Sequence, residues 1–286
     1  MTDRLRLAVP NKGRLVEPTL RLLHDAGLVF EEHDRSLVAH VQNHELDILF
    51  VRTSDVIEFV GDGVADLGIT GLDLLAETGA ELPRLRDLGY GRCRLAVAVP
   101  NDAPFGRVDD LAGHRVATAH PNTARRFFDQ RGVAVDVVPI SGAVEVAPRL
   151  GLAEGIVDLV STGSTLAMNG LREVGDVLVS EAVLVSNPTA DRDRRAELEA
   201  IDTMVGAVIA ARDRKYVMMN APADRLPELE DLLPALESPT VIPLAHDGMV
   251  AIHSVVGADE VWGLLPRLKA AGASGLLVLP IEKIVP

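Results

Sequence analysis

From Asp158 the chain reads Asp-Leu-Val-Ser-Thr-Gly-Ser-Thr, a carboxylate followed by hydroxyls gathered around one glycine and ending at Thr165. Hydroxyls and the backbone N–H groups of a tight turn can converge on a single anion, which makes Ser161 to Thr165 a candidate phosphate cradle. The acid just ahead of it would repel a lone phosphate. It would suit a phosphorylated sugar, whose hydroxyls can meet Asp158 while the phosphate lies in the turn. The same residues also describe an ordinary solvated turn with Asp158 near a strand end.

Such a turn needs a strand to hold it. Val157 to Val160 is apolar apart from Asp158 and reads as a short buried strand, leaving through the turn into Leu166 to Leu171. Upstream, Ser141 to Glu145 reads as a turn leading into a helix that runs to Leu152, with Glu145 at its start. Two cations, Lys12 and Arg14, sit in the turn Pro10 to Leu15, between a strand at Arg4 to Val9 and a helix at Glu17 to Ala26 that Gly27 caps. That is the carboxyl end of a strand, where open α/β sheets take ligands. Leu46 to Arg52 is a further strand ending in a cation, followed by a helix at Ser54 to Val60. Ala65 to Asp73 repeats the design of the phosphate turn: an apolar strand, then Thr70-Gly71 as a turn, then Asp73. Two such half-units facing each other would line a cleft.

Arg94 to Val99, Arg115 to Ala119 and Val135 to Pro139 read as strands, with a helix from His120-Pro-Asn-Thr to Arg131 whose N-cap is Asn122 or Thr123. The alternation predicts a mostly parallel sheet covered on both faces. Glu181 to Ser186 reads as a returning strand and Asp191 to Ala211 as a long helix. From Arg214 onward the order is β-α-β-β-α-β, the ferredoxin-like motif, forming a separate C-terminal domain.

Composition excludes several classes. With 286 residues, a formal net charge of −14 and 28 Lys and Arg that form no run, the chain lacks the basic footprint of a nucleic-acid binder. Nothing approaches the ~20 consecutive apolar residues of a membrane span. The opening residues do not resemble a signal peptide, so a cytoplasmic protein is expected. Cys93 is the single cysteine and cannot form an internal disulfide; buried filler is its expected role. His40 and His44 lack a third partner for a zinc site.

Glu145, Gly151, Gly155, Val157, Asp158, Ser161 or Thr162, Gly163, Thr165 and Leu166 fit in spacing the signature of the ATP phosphoribosyltransferase family. Asn11-Lys-Gly-Arg-Leu, Asp66-Leu-Gly-Ile-Thr-Gly and Leu277-Val-Leu-Pro-Ile-Glu-Lys are also similar to that family, so the resemblance covers essentially the whole chain. It implies an α/β protein with a two-lobed, periplasmic-binding-protein-like (type II) catalytic core and a C-terminal ferredoxin-like α+β regulatory domain. On that basis lobe I is expected at residues 1–93, with 182–211 returning to it, lobe II at 94–181 and the regulatory domain at 212–286.

The resemblance further implies transfer of phosphoribose from phosphoribosyl pyrophosphate to N1 of ATP, as the first step of histidine biosynthesis. It implies magnesium, inhibition by L-histidine, a homohexamer in equilibrium with dimers, and no separate regulatory subunit. Glu145, Asp158 and Arg14 are the catalytic candidates. Phosphoribosyl pyrophosphate falls to Asp158, Ser161, Thr162, Gly163, Ser164 and Thr165, with Asp158 also toward magnesium through the substrate. ATP falls to Lys12, Arg14, Arg52, Asp73 and His120, the last standing where the family often has a tyrosine that could stack on adenine. Histidine falls to Asn220, Leu236, Ser238, Thr240, Ser274 and Gly275, with Asn220 standing where some members carry an acid. A non-catalytic small-ligand sensor with the same two-lobed fold is the alternative.

Overall fold

The computed structural model describes residues 4–31, 36–189, 194–233 and 238–285. The chain divides into two compact units, one built from residues up to His24 and from Leu28 to Glu199, the other from Ala200 onward together with Asp25–Gly27.

The first unit holds two sheets. In chain order, β1 (Leu5–Pro10), β2 (Val38–His40), β3 (Leu46–Val51), β4 (Leu67–Gly71) and β5 (Arg84–Asp87) belong to one sheet. The chain then crosses to the other sheet, made by β6 (Cys93–Pro100), β7 (Arg115–Thr118), β8 (Asp136–Pro139), β9 (Gly155–Val160) and β10 (Leu171–Ser180), and returns as β11 (Ala182–Ser186). The orders are β2-β3-β1-β4-β11-β5 and β10-β6-β9-β7-β8. Leaving β2 aside, each sheet has the same plan: second strand, first, third, the strand arriving from the opposite sheet, fourth. These are two lobes of the type II periplasmic-binding-protein-like architecture.

The sheets are mixed rather than mostly parallel. β1 runs parallel to β3 and β4, and β7 parallel to β8 and β9, but the crossing strands β6 and β11 are antiparallel to both of their neighbours. A strand entering from the other lobe arrives from the carboxyl ends and must run against the parallel strands, as the short edge strand β2 also does. β10 is absent from the sequence reading because its alternation breaks twice, between Glu173 and Gly175 and between Asp176 and Leu178.

Helices α1 (Val16–Asp25), α2 (Asp55–Gly61) and α3 (Leu72–Thr78) belong to lobe I, α4 (Pro121–Gln130) and α5 (Ser164–Met168) to lobe II. Thr70-Gly71 is not a turn. It is the buried end of β4, held in register by Val183 and Ala182 of β11, and α3 begins at the next residue. The expected helix from Glu145 to Leu152 is also missing. Pro148 and Gly151 interrupt it, and the segment closes as a 3-10 turn at Val144–Val146 followed by further turns.

β6 shows how a chain with few aromatics builds its core. Leu95, Val97 and Val99 face Phe128 and Ala124 of α4, whereas Ala96 and Ala98 face Val144, Ala147 and Ala153. In lobe I, Val56 and Val60 of α2 pack with Ala8, Val183 and Val185.

α6 (Arg195–Arg212) enters the second unit at Ala200 and leads into β12 (Arg214–Pro222), α7 (Leu226–Leu232), β13 (Thr240–Pro243), β14 (Met249–Gly257), α8 (Val261–Ala270) and β15 (Ser274–Pro280). The antiparallel sheet β13-β14-β12-β15 is ferredoxin-like. Its apolar face, from Val217, Met219, Val250 and Ile252, packs with Leu229 of α7 and Leu264 and Leu268 of α8.

α2 packs tightly over Gly68 in β4: a Cβ there would lie 2.6 Å from both Val56 Cγ1 and Val60 Cγ2. Gly68→Ala is therefore expected to lower stability by about 1–3 kcal/mol through overpacking. Urea unfolding of wild type and variant checks this, and an unchanged midpoint would refute it.

Candidate active site

β9 carries Asp158 to the cleft side of lobe II. It lies between β6, where Asp158 pairs with Ala96, and β7, where Val157 pairs with Thr118. Past Val160 the backbone turns through Gly163, whose φ of 77° lies in the left-handed region that side chains disfavour, and α5 starts at Ser164. The first N–H groups of a helix have no acceptor within it, so this turn exposes donors to whatever sits before it. Thr162 Oγ1 and Ser164 Oγ lie 2.8 Å apart and brace the turn. Asp158, Ser161, Thr162, Gly163 and Thr165 line an open cavity of about 120 Å³.

Asp158 is half-buried, and its Oδ1 accepts the N–H of Leu159 at 2.8 Å. Burial, together with the negative charge of Glu145, pushes its carboxyl above the ordinary aspartate range, although the Leu159 bond and His120 oppose this. Glu145 sits in the 3-10 turn Val144–Val146, over the same sheet face as Ile156 and Val160. Two acids thus stand near one another beside the hydroxyl turn, and a cation or a cationic transition state would relieve their repulsion.

Lobe I contributes the cations. β1 and β3 run side by side, with Pro10 opposite Val51, so the turn bearing Lys12 and Arg14 adjoins Arg52. Lys12 and Arg52 are exposed and make no ion pair among the described residues. Arg14 reaches across the cleft, donating to Ser161 Oγ at 3.4 Å and to Cys93 Sγ at 2.8 Å. Cys93 is buried as filler would be, but it also steers this guanidinium.

Asp73 and His120 behave differently from the expected adenine contacts. They are 4% and 5% exposed, and His120 Nε2 lies 3.3 Å from Asp73 Oδ2. Ser180, where β10 ends, donates its hydroxyl to Asp73 Oδ1 at 2.5 Å and accepts the Asp73 N–H at 3.0 Å. Burial alone would raise the Asp73 carboxyl; the bonds from His120 and Ser180 outweigh it and hold the group below the usual range. His120 Nδ1 is buried without a partner among the described residues. Neither side chain is presented to solvent.

The N-terminus of α4 also departs from the sequence reading. Neither Asn122 nor Thr123 caps it. His120 holds the N-cap position without a side-chain bond, Pro121 opens the helix, and the Glu77 carboxylate from α3 accepts the N–H groups of Asn122 and Thr123, each at 2.9 Å. Sequence reasoning missed Glu77 because it missed α3. The pattern Leu72-Asp-Leu-Leu followed by Gly79 was the available signal, since Gly79 ends α3 with a left-handed φ of 69°.

In the second unit, Asn220 is paired with Ser274 across β12 and β15, Ser274 Oγ donates to the Asn220 carbonyl at 3.4 Å, and Gly275 adjoins with a φ of 58°. Thr240 lies on the same open face, reached through His253 of β14. Ser238 is exposed just before β13, and Leu236 lies outside the described residues.

Residues 52–207 match the ATP phosphoribosyltransferase family, and residues 211–283 match the HisG C-terminal domain. An ATP phosphoribosyltransferase of Gemmatimonas aurantiaca is 48% identical, over 99% of this chain and 100% of its own length. One of Halorubrum lacusprofundi is 45% identical, over 98% of this chain and 100% of its own. A solved ATP phosphoribosyl transferase (HisG:HisZ) complex from Thermotoga maritima aligns with a TM-score of 0.63 at 31% identity, covering 71% of this chain and 96% of that one. With matches of this extent along nearly all its length, the chain belongs to the ATP phosphoribosyltransferase family.

Proposed function

We propose that this protein transfers phosphoribose from phosphoribosyl pyrophosphate to N1 of ATP, releasing pyrophosphate, in the first step of histidine biosynthesis. One observation carries the assignment of the substrate ends: of the two helix N-termini beside parallel strands of lobe II, that of α4 is already filled by the Glu77 carboxylate, while the hydroxyl turn before α5 is open. The 5-phosphate takes the open one, and Asp158 and Glu145 then flank the ribose.

N1 of adenine carries a lone pair at neutral pH, so the reaction needs no strong base. Its barrier is the breaking of the C1–pyrophosphate bond, which leaves positive charge on the sugar ring. Asp158 and Glu145 stabilise that charge, Lys12, Arg14 and Arg52 take the phosphates of the leaving group and of ATP, and the lobes hold N1 behind C1. Among the described residues no group of three metal-ligating side chains exists. Magnesium would therefore enter largely on substrate phosphates, with Asp158, beside Glu145, the fitting protein ligand, and would neutralise charge on the leaving group. The open sheet face around Asn220, Ser274 and Gly275 is the proposed site of L-histidine. A homo-oligomer working in the cytoplasm without a separate regulatory subunit completes the proposal.

Pyrophosphate release from ATP and phosphoribosyl pyrophosphate is the direct test; binding of both without release would indicate a ligand sensor instead. Asp158→Asn is expected to reduce kcat on the order of 100-fold. Its raised pKa in the folded protein means that ionised Asp158 costs stability at neutral pH, so the same variant should unfold at the wild-type midpoint or above it. For the same reason the acid limb of kcat/KM should fall at a pH above the ordinary aspartate range, as Asp158 takes up a proton. A variant that keeps its rate would remove Asp158 from the mechanism. Asn220→Asp is expected to tighten histidine inhibition by about 3–10-fold by supplying a charged acceptor for the ligand's ammonium; unchanged inhibition would move the histidine site elsewhere.

A further inference from the structure

The contact between α3 and α4 joins opposite poles of two helices from different lobes. At its end α3 offers carbonyls with no acceptor role inside the helix, and at its start α4 offers N–H groups with no partner inside the helix. Thr78 and Gly79 take the Leu74 and Leu75 carbonyls within α3, and the other lobe satisfies two groups of each set. The Glu77 carboxylate accepts both Asn122 N–H and Thr123 N–H at 2.9 Å. In return, Asn122 Nδ2 donates to the Glu77 carbonyl at 3.2 Å and Arg126 donates to the Ala76 carbonyl. One turn earlier on the same face of α3, Asp73 meets His120, the residue ahead of α4. The negative end of one helix dipole and a full carboxylate thus oppose the positive end of the other.

This arrangement lies beside the cleft and touches no residue assigned to either phosphate. We propose that Glu77 is a positioning residue for the transfer reaction: by capping α4 from the opposite lobe it fixes the distance between the cations of lobe I and the hydroxyl turn of lobe II. The assignment of a reaction across the cleft rests on the proposed function, but the interlobe distance does not.

Without the cap, lobe II is held by fewer bonds and the lobe arrangement of this structure, taken as the closed form, becomes a minor population, so substrates that span the lobes bind more weakly in proportion to the fraction closed. Saturating substrates restore closure. Glu77→Ala is therefore expected to raise KM for both ATP and phosphoribosyl pyrophosphate about tenfold while kcat stays within about twofold. Glu77→Gln, which keeps the shape and one acceptor oxygen, should raise both by about threefold and folds even if the alanine variant does not.

The independent measurement is the distance between spin labels at Arg21→Cys in α1 and Asp129→Cys in α4, in labelled chains diluted with unlabelled protein; both positions are exposed, and Cys93 is buried. The distribution should lengthen or broaden in Glu77→Ala and Glu77→Gln without substrates and return to the wild-type distribution with both present. Unchanged distances in either variant, or a loss of kcat with KM unmoved, would overturn the proposal. If wild type released no pyrophosphate, the proposed function would fail while the distances still decided the role of Glu77.

Discussion

Each lobe of the first unit is completed by a strand that arrives from the other. β6 enters the middle of one sheet straight after β5 of the first, and β11 returns from β10 to lie between β4 and β5. Neither lobe has a full set of strand partners without the other's chain. Because the crossing strands run antiparallel to β9 and β4, the carboxyl ends of the parallel strands open onto the side where the chain crosses. The candidate site residues gather there: the Lys12 and Arg14 turn after β1, Arg52 after β3, Asp158 near the end of β9 and the hydroxyl turn after it.

Two helix poles compete for anions on lobe II, and the protein occupies one of them itself. A carboxylate accepting two backbone N–H groups at the start of α4 leaves little attraction there for a phosphate. Among the described residues no carboxylate accepts a backbone N–H of the turn at Ser161 to Thr165, and Arg14 bonds to Ser161 from the facing lobe. In a chain of net charge −14, selection of this kind matters, because the global field repels the polyanions that the proposed function brings to the cleft.

Much of this was legible in the residues. β9 was visible because one acid interrupts an apolar run, the turn after it because hydroxyls crowd a glycine, and the second unit because its six elements follow an unmistakable order. What escaped is just as specific. Asp73 was read as a ligand of the cleft because it follows a Gly/Thr pair, but Gly71 serves another purpose: a Cβ there would sit 2.4 Å from Asp73 Oδ1, so its absence lets that carboxylate fold back over the start of α3 and be buried against Ser180 and His120. Ser180 lies 107 residues away, a separation at which no local pattern can announce a bond. Glu77 lies on a helix that Leu72 to Leu75 and Gly79 could have announced, but its bonds to Asn122 and Thr123 join different lobes and no local pattern shows them.

The alanines of lobe II have a consequence of their own. Ala96, Ala98, Ala117, Ala147 and Ala153 line the layer between the second sheet and the segment that carries Glu145. Single methyl groups on both sides let that segment settle close above Asp158. The spacing of the two acids thus depends on the packing of this layer, where the alanines meet Val144, Ile156 and Val160, and a bulkier side chain in place of an alanine would detune the electrostatics of the cleft without altering a single charge.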